Sequence, residues 1–271
     1  MIDDERSAGA RAVAELALVR LVAGGGPTSE SMIVLGGLVP PTLTSNLPSV
    51  PAHLGTTDVD VLLVTHLTAD RDLSPIEDAL RAMEFAPEGH GWQWRGRVEG
   101  RLVKIEFLCD LDDQPAEAIV TPTGCTELRA VNLRGTGSVE VDNCEMTFDG
   151  PDGKVRVRFA ALAGYLLSKI AAARTRGAVK DYYDLAYVLL HNHAGGPTAA
   201  AHVVNASPLQ PTLTSMRSTF LELRERFRSD RAQGSQAYAQ EALKVTPEAN
   251  RPLLAADAAA AINEFLDALN P

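Results

Sequence analysis

The pattern of apolar and polar positions changes along the chain from strand-like to helix-like. After a helix-like segment at residues 8–23, short apolar or alternating runs bounded by Gly and Pro predict strands at residues 31–35, 57–64, 92–98, 102–108, 139–148 and 154–157. A further helix is predicted to begin at Ser74 and Pro75. From residue 159 onward the spacing is helical, at residues 159–176, 179–193, 209–231 and 254–268. This order predicts an α+β domain over residues 1–158 and a helical domain over residues 159–271.

Length and composition fit an ordinary globular protein. The chain has 271 residues, of which 45% are hydrophobic and 22% charged. No apolar run approaches the roughly 20 residues that cross a bilayer, and the acidic N-terminus lacks a secretory signal pattern. We therefore expect a cytoplasmic protein without a membrane partner. Cys109, Cys125 and Cys144 are widely spaced and form no CxxC pair, so they are predicted to be small core residues.

Charge is distributed unevenly between the two parts of the chain. Residues 1–150 hold 11 Lys and Arg against 24 Asp and Glu, whereas residues 151–271 hold 14 against 11. Such asymmetry is typical of an acidic part that holds metal ions and a second part that meets polyanions. Uneven sampling of surface charge is the alternative interpretation.

The most informative polar positions are Asp58 and Asp60, on a predicted strand. Residues two apart on a strand point to the same face, so both carboxylates project together. Paired carboxylates repel each other unless a cation joins them, and hard oxygen ligands suit Mg²⁺. The alternative is an edge strand whose polar residues face water.

Glu106 is the third candidate acid. It interrupts the apolar, β-favouring run at residues 103–108, where an unpaired buried carboxylate would be costly. A metal site shared with Asp58 and Asp60 would compensate this charge, and so would Lys104 as a local partner. Three acids could hold two metal ions, one lowering the pKa of an attacking hydroxyl and one binding a triphosphate.

Upstream, a strand runs into Gly36 and Gly37, at what we predict to be a helix start. Glycine lets a phosphate approach the backbone, and free N–H groups at a helix N-terminus attract anions. The diglycine and the acids together therefore predict a nucleotide site.

This order of motifs resembles the nucleotidyltransferase superfamily of DNA polymerase β, whose signature is a Gly-Gly or Gly-Ser turn, then D-x-D, then a third strand acid. Residues 166–185, LLSKIAAARTRGAVKDYYDL, resemble the K-x-x-A…R…K-D-x-x-D-L block of AbiEii-type toxins, relatives of the MenT toxins. The resemblance covers roughly residues 31–192. It departs from the superfamily in two ways: twenty residues separate Gly37 from Asp58, and the turn lacks Ser.

The resemblance implies a nucleotidyltransferase-like mixed β-sheet domain with flanking helices, and an Mg²⁺-dependent enzyme. It implies transfer of a nucleoside monophosphate from an NTP to the 3′ end of tRNA, by a toxin with a cognate antitoxin. The roles it implies are metal binding and catalysis by Asp58, Asp60 and Glu106, catalysis by Lys169 and Asp184, and nucleotide binding by Gly36, Gly37, Thr57, Lys169, Lys180 and Asp181.

Several alternatives stay open at this point. From the residues alone, Lys169, Lys180, Asp181 and Asp184 fit a solvated helix pair with salt bridges such as Lys180 to Asp184. The arginines of residues 217–231 fit either contacts to tRNA phosphates or a charged outer helix face. The acceptor could instead be a protein or a small molecule, or the chain could be a silent nucleotide- or antitoxin-binding module.

Overall fold

The computed structural model describes residues 6–45, 47–64 and 71–270, and the chain forms two compact units. Met1–Val39 and Gly55–Ala160 make the first unit, and Pro40–Leu54 and Ala161–Pro271 make the second. The Pro-rich segment before Asp58 thus groups with the C-terminal helices, whereas the sequence prediction divided the chain once, after residue 158.

In the first unit, nine strands of the described residues form one mixed sheet, which confirms the predicted α+β class. They are β1 (Met32–Leu35), β2 (Asp58–Leu63), β3 (Ala86–Glu88), β4 (Gln93–Val98), β5 (Arg101–Cys109), β6 (Ile119–Val120), β7 (Ala130–Asn132), β8 (Asn143–Gly150) and β9 (Gly153–Ala160). The short strands β3, β6 and β7 escaped prediction because two or three residues carry no readable alternation.

The main path of the sheet runs β3-β4-β5-β2-β1-β9-β8, with β7 beside β5 and β6 beside β7. β2 with β5, β1 with β9 and β5 with β7 are parallel, and the remaining pairs are antiparallel. The predicted hairpin between β4 and β5 is present. Its turn residues Glu99 and Gly100 have φ of 48° and 77°, the left-handed values that a two-residue hairpin turn requires.

Eleven α-helices lie within the described residues. They are α1 (Ala8–Gly25), α2 (Pro40–Leu43), α3 (Ser74–Ala82), α4 (Ser138–Val141), α5 (Leu162–Arg176), α6 (Val179–His191), α7 (Pro197–Ala206), α8 (Gln210–Ser215), α9 (Arg217–Arg226), α10 (Gln233–Ala242) and α11 (Arg251–Ala268). Short 3₁₀ turns span Gly26–Ser31 and Gly36–Leu38. Among the described residues, no helix combines the length and the apolar character needed to span a membrane.

Three sequence predictions need correction. The segment predicted as one helix over residues 209–231 is divided into α8 and α9. Residues 138–141 form α4, so β8 begins only at Asn143. Cys144 is exposed on β8, and only Cys109 is a buried cysteine.

Part of the core of the first unit lies on the face of the central strands opposite the acids. Val59, Val61, Ile105 and Phe107 alternate with the polar positions of β2 and β5 and are fully buried, as is Trp94 on β4. The other face of the same strands carries the charged side chains and ends in the buried Leu62 and Leu108.

Candidate functional site

The register of β2 and β5 brings the three predicted acids to one face of the sheet. Asp58 lies opposite Lys104, and Asp60 lies opposite Glu106, in parallel pairing. Residues paired across adjacent strands project to the same side. The Asp60 side chain lies near that of Glu106 and contributes to lowering the pKa of Glu106.

Asp58 with Lys104, and Asp60 with Glu106, form two rows of side chains across the strands. Strand β4 adds one residue to each row. Arg95 lies opposite Lys104, and Gln93 lies opposite Glu106. Gln93 Nε2 donates a hydrogen bond of 2.7 Å to Glu106 Oε1. Arg95 and Gln93 were absent from the sequence prediction, although counting back from the Glu99-Gly100 turn would have placed them there.

Lys104 bridges the two rows. Its Nζ lies 2.7 Å from Glu106 Oε1 and 3.6 Å from Asp58 Oδ2. These side chains are only 13–24% exposed, so water screens their charges less than at an open surface. The sequence alternative of Lys104 as a local partner of Glu106 is therefore present in the structure.

The site is charged at neutral pH. Burial alone would raise the pKa of Glu106, but the hydrogen bond and the charge of Lys104 outweigh burial and hold that pKa below its usual value. Burial would lower the pKa of Lys104, yet the neighbouring carboxylates raise it. Glu106 is thus an anion and Lys104 a cation.

Gly36 fits this site for a reason that the sequence did not suggest. Its φ is +74°, and a Cβ added there would lie 1.7 Å from Asp60 Oδ2. A Cβ at Gly37 would lie 2.6 Å from Thr56 Cβ. Both glycines are buried and begin a three-residue 3₁₀ turn rather than the predicted helix. The close approach of Asp60 and Thr56 is sufficient to require glycine at these positions.

Beside the acids lies a cleft of about 260 Å³, lined by Thr57, Asp58, Arg95, Leu102 and Lys104. Thr57 Oγ1 lies 3.2 Å from Asp58 Oδ1, to which it donates a hydrogen bond. Thr56 Oγ1 accepts a hydrogen bond of 3.1 Å from the Asp58 N–H. The two threonines therefore orient the first acid at the mouth of a polar cleft.

The donor atoms of this face suit Mg²⁺ chemically, because carboxylate oxygens are the ligands that this ion prefers. Asp58 and Glu106 already surround one cation, the Lys104 ammonium. As the side chains stand, no group of three or more His, Cys, Asp or Glu residues in the described part of the chain is arranged to hold a metal ion. An ion that contacts both Asp58 and Glu106 would compete with Lys104 Nζ, which lies 3.6 Å from Asp58 Oδ2 and 2.7 Å from Glu106 Oε1.

The remaining predicted residues lie in the second unit, where three of them form a buried cluster. Lys169 Nζ lies 2.8 Å from Asp184 Oδ2 and 3.4 Å from Asp181 Oδ1. All three side chains are at most 7% exposed. The interpretation of these residues as a solvated helix pair is therefore wrong.

Two further residues, neither of which was given a role from the sequence, also contact the cluster. His53 Nε2 lies 3.0 Å from Asp184 Oδ1, and an Arg176 amino group lies 3.0 Å from Asp181 Oδ1. His53 and Asp184 are 131 positions apart, so no local pattern links them. Arg176 was detectable, since it shares a face of α5 with Lys169.

Lys180 stands apart from this cluster. It is exposed on α6. Asp184 bonds to Lys169 and His53 instead, so the predicted Lys180–Asp184 salt bridge is wrong. Nucleotide binding by Lys180 stays a prediction, as does contact of Lys169 with a triphosphate.

The arginine-rich segment at residues 217–231 has its apolar stripe packed inside the second unit. Phe220, Leu223 and Phe227 are buried. Arg224 pairs with Asp267 at 2.7 Å, and Arg226 hydrogen-bonds to Gln233. These contacts favour a charged outer helix face over a surface reserved for tRNA phosphates.

In comparisons with protein-family models, curated proteins and solved structures, none matches this chain. The resemblance to nucleotidyltransferases thus depends on the motifs in the sequence.

Proposed function

We propose that this chain is an Mg²⁺-dependent nucleotidyltransferase, which transfers a nucleoside monophosphate from an NTP to an acceptor hydroxyl. The observation that carries the proposal is the placement of Asp58, Asp60 and Glu106 on one face of two paired strands, where Asp58 and Glu106 bind the Lys104 ammonium group. Such a cluster of carboxylates is costly unless cations neutralise it, and phosphoryl transfer requires cations next to a triphosphate.

In this reaction the acceptor oxygen attacks the α-phosphorus, the bond from that phosphorus to the bridging oxygen of the β-phosphate breaks, and pyrophosphate leaves. Asp58, Asp60 and Glu106 would hold Mg²⁺, which when bound neutralises charge on the triphosphate. Glu106 accepts the proton of the acceptor hydroxyl. Its lowered pKa keeps this carboxylate ionised at neutral pH, the state that a general base requires before the reaction.

Gly36 and Asp60 act together in this proposal. Because Asp60 Oδ2 occupies the space where any other residue would place its Cβ, Gly36 permits the carboxylate position next to the turn. Gly37 and Thr57 complete the proposed nucleotide-binding set of the first unit. For Lys169, Asp181 and Asp184, the buried ion pairs support a role in holding the second unit together.

The 3′ end of tRNA is the acceptor we propose, in a cytoplasmic toxin controlled by a cognate antitoxin. The support is the resemblance of residues 166–185 to AbiEii and MenT toxins, with the positive balance of residues 151–271. A protein or small-molecule acceptor is the nearest alternative within the same chemistry.

A silent binding module of nucleotide or antitoxin is the alternative from another class. The observation that favours it is the ion pairing of Lys104, which neutralises part of the acidic cluster without a metal.

The test is a pyrophosphate-release screen with each of the four NTPs, Mg²⁺ and total tRNA. We expect release by the wild-type chain and a loss of about a hundredfold or more in Asp60→Asn, because a lost metal ligand removes several kcal/mol of transition-state stabilisation. Asp112→Asn, at a fully exposed acid of the same unit, is the matched control and should stay active. Equal release by wild type and Asp60→Asn would end the proposal, and NTP binding without any release would select the silent module.

A further inference from the structure

Lys104 is a basic side chain that contacts two of the predicted metal ligands, Glu106 and Asp58. Its Nζ is within hydrogen-bond distance of Glu106 and within ion-pair distance of Asp58. Asp60 lies close enough to add to the same electrostatic attraction. The ammonium therefore lies where a cation shared by Glu106 and Asp58 would lie.

We propose that Lys104 is a built-in substitute cation, which holds the carboxylates together in the metal-free protein and is displaced when a divalent ion binds. This inference rests on the proposed function, because it assumes that the three acids form a metal site. It assigns Lys104 a positioning role that sets the affinity of the site for the divalent ion.

The charges explain why the two cations compete. Asp58, Asp60 and Glu106 together carry three negative charges when ionised, and Lys104 returns one. A divalent ion at the same place neutralises more charge, and at short range it repels the ammonium. Binding of the metal therefore includes the cost of breaking the contacts of Lys104 with Glu106 and Asp58.

The neighbouring cleft gives the displaced ammonium a place to go. Lys104 already lines this cleft of about 260 Å³ with Arg95, Leu102 and Thr57. The Lys side chain is a flexible four-carbon stem, so its end can move by rotation about side-chain bonds. Its backbone stays paired to β2 on one side and to β4 on the other.

The two possible roles of Lys104, a structural ion pair and a substitute cation, predict opposite changes in metal affinity when Lys104 is replaced. If Lys104 only stabilised the site, its removal would loosen the carboxylates and weaken metal binding. If it competes with the metal, its removal strengthens metal binding. The sign of the change in affinity distinguishes the two roles.

The experiment is Mn²⁺ titration of the full chain by calorimetry, with thermal melting in EDTA to establish that each variant folds. We expect Lys104→Gln to bind Mn²⁺ about tenfold or more tightly than wild type, because a competing charge in contact with the site is gone. Lys104→Met, which keeps much of the apolar stem, should show the same gain. Lys104→Arg keeps the competing charge and should show no gain.

Lys154→Gln is the control for net charge. Lys154 is an exposed residue of the same unit, paired only at the surface with Asp149, so its loss should leave the Mn²⁺ affinity within about twofold. Unchanged or weaker binding in both Lys104→Gln and Lys104→Met, with clear binding by wild type, would overturn this inference and leave the proposed metal site intact. Absence of Mn²⁺ binding in wild type and in both variants would overturn the metal site itself.

Discussion

At Gly36, the structural reason for glycine differs from the one that the sequence suggested. The diglycine was expected to admit a phosphate, whereas the structure places the Asp60 carboxylate against the Cα of Gly36. A sequence motif identifies the position, but the atom that requires glycine belongs to a strand more than twenty residues away. The residue could be predicted; its contact partner could not.

Replacing Gly36 by Ala should therefore damage the acid site as well as the turn. The new Cβ would overlap Asp60 Oδ2, and the φ of +74° disfavours any L side chain by about 1 kcal/mol. We expect weaker Mn²⁺ binding together with a lower unfolding free energy, measured by calorimetry and by urea titration. Gly89→Ala is the control, since its φ is +57° but no atom lies within 4 Å of the added Cβ. Equal effects of the two substitutions on Mn²⁺ affinity would contradict this account.

Glu77 gives a pH-dependent prediction at a different part of the first unit. Burial on its own would raise the pKa of Glu77. Hydrogen bonds from the Thr126 hydroxyl, from the backbone of Leu128 and Glu127, and from Arg81 lower it to about 2. Its folded pKa thus lies below the ordinary value of 4.5. The stabilisation is fully present above pH 4.5 and is lost as the pH falls toward 2.

We therefore expect Glu77→Gln to lower the unfolding free energy by about 3 kcal/mol at pH 7, from a pKa shift of roughly two units or more. The difference from wild type should narrow below pH 4.5, as the wild-type carboxyl takes up a proton. Urea titrations from pH 7 to pH 3 measure this. Asp78→Asn changes an exposed acid of the same helix and serves as control. If the difference in unfolding free energy between wild type and Glu77→Gln stays constant over this pH range, the prediction is refuted.

At the scale of elements, the hairpin β4–β5 was predictable from its turn, whereas the strands of Asp58, Asp60 and Glu106 were expected to be neighbours only because a shared metal site requires it. The Glu99-Gly100 turn fixes which residue of β4 opposes which residue of β5, so Arg95 and Gln93 follow from counting. Parallel pairing of β2 with β5 joins strands separated by α3, β3 and β4. Alternation indicated which face each acid occupies on its own strand, but only the fold brings those faces together.

The cluster between α5 and α6 was recognised as a motif, yet its burial was missed. Helical spacing places Lys169 and Arg176 on one face but does not say what covers that face. His53, contributed by the segment before β2, lies against Asp184. Tyr183 OH accepts a hydrogen bond from the Leu54 N–H, and Tyr187 OH donates one to the Pro51 carbonyl. These contacts attach the segment to α6.

Asp184→Asn should destabilise the second unit by about 3–5 kcal/mol, because it leaves the buried Lys169 ammonium poorly compensated. His53→Ala should have a smaller effect, since the Lys169–Asp184 pair at 2.8 Å remains. Urea unfolding followed by circular dichroism measures both. Asp267→Asn, at the exposed pair with Arg224, is the control and should change little. If Asp184→Asn lowers the unfolding free energy no more than this control does, the described cluster is contradicted.

At the scale of the whole molecule, the chain enters its second compact unit twice. Residues 40–54 carry no periodic apolar pattern, so no local feature separates them from the strands around them. Their assignment follows from long-range contacts such as His53 with Asp184. The division into an α+β part and a helical part was predictable from periodicity, and the membership of this segment was not.

A fragment test follows from that division. Residues 161–271 alone lack the partners of Asp184, Tyr183 and Tyr187 that residues 40–54 supply. We expect a protein in which residues 40–54 are joined to residue 161 by a Gly–Ser linker to melt at a higher temperature than residues 161–271 alone. The same fusion carrying His53→Ala should lose part of the gain. Identical melting of fragment and fusion would show that the segment does not belong to this unit.

The central claim is that Asp58, Asp60 and Glu106 share one divalent-ion site. The most direct test is an anomalous-difference map from crystals grown with Mn²⁺ and a non-hydrolysable NTP analogue. We predict a Mn²⁺ peak in contact with carboxylate oxygens of all three residues and with the triphosphate, and Lys104 Nζ moved away from Glu106. A map in which the bound analogue is visible but no Mn²⁺ peak touches these carboxylates would contradict the account.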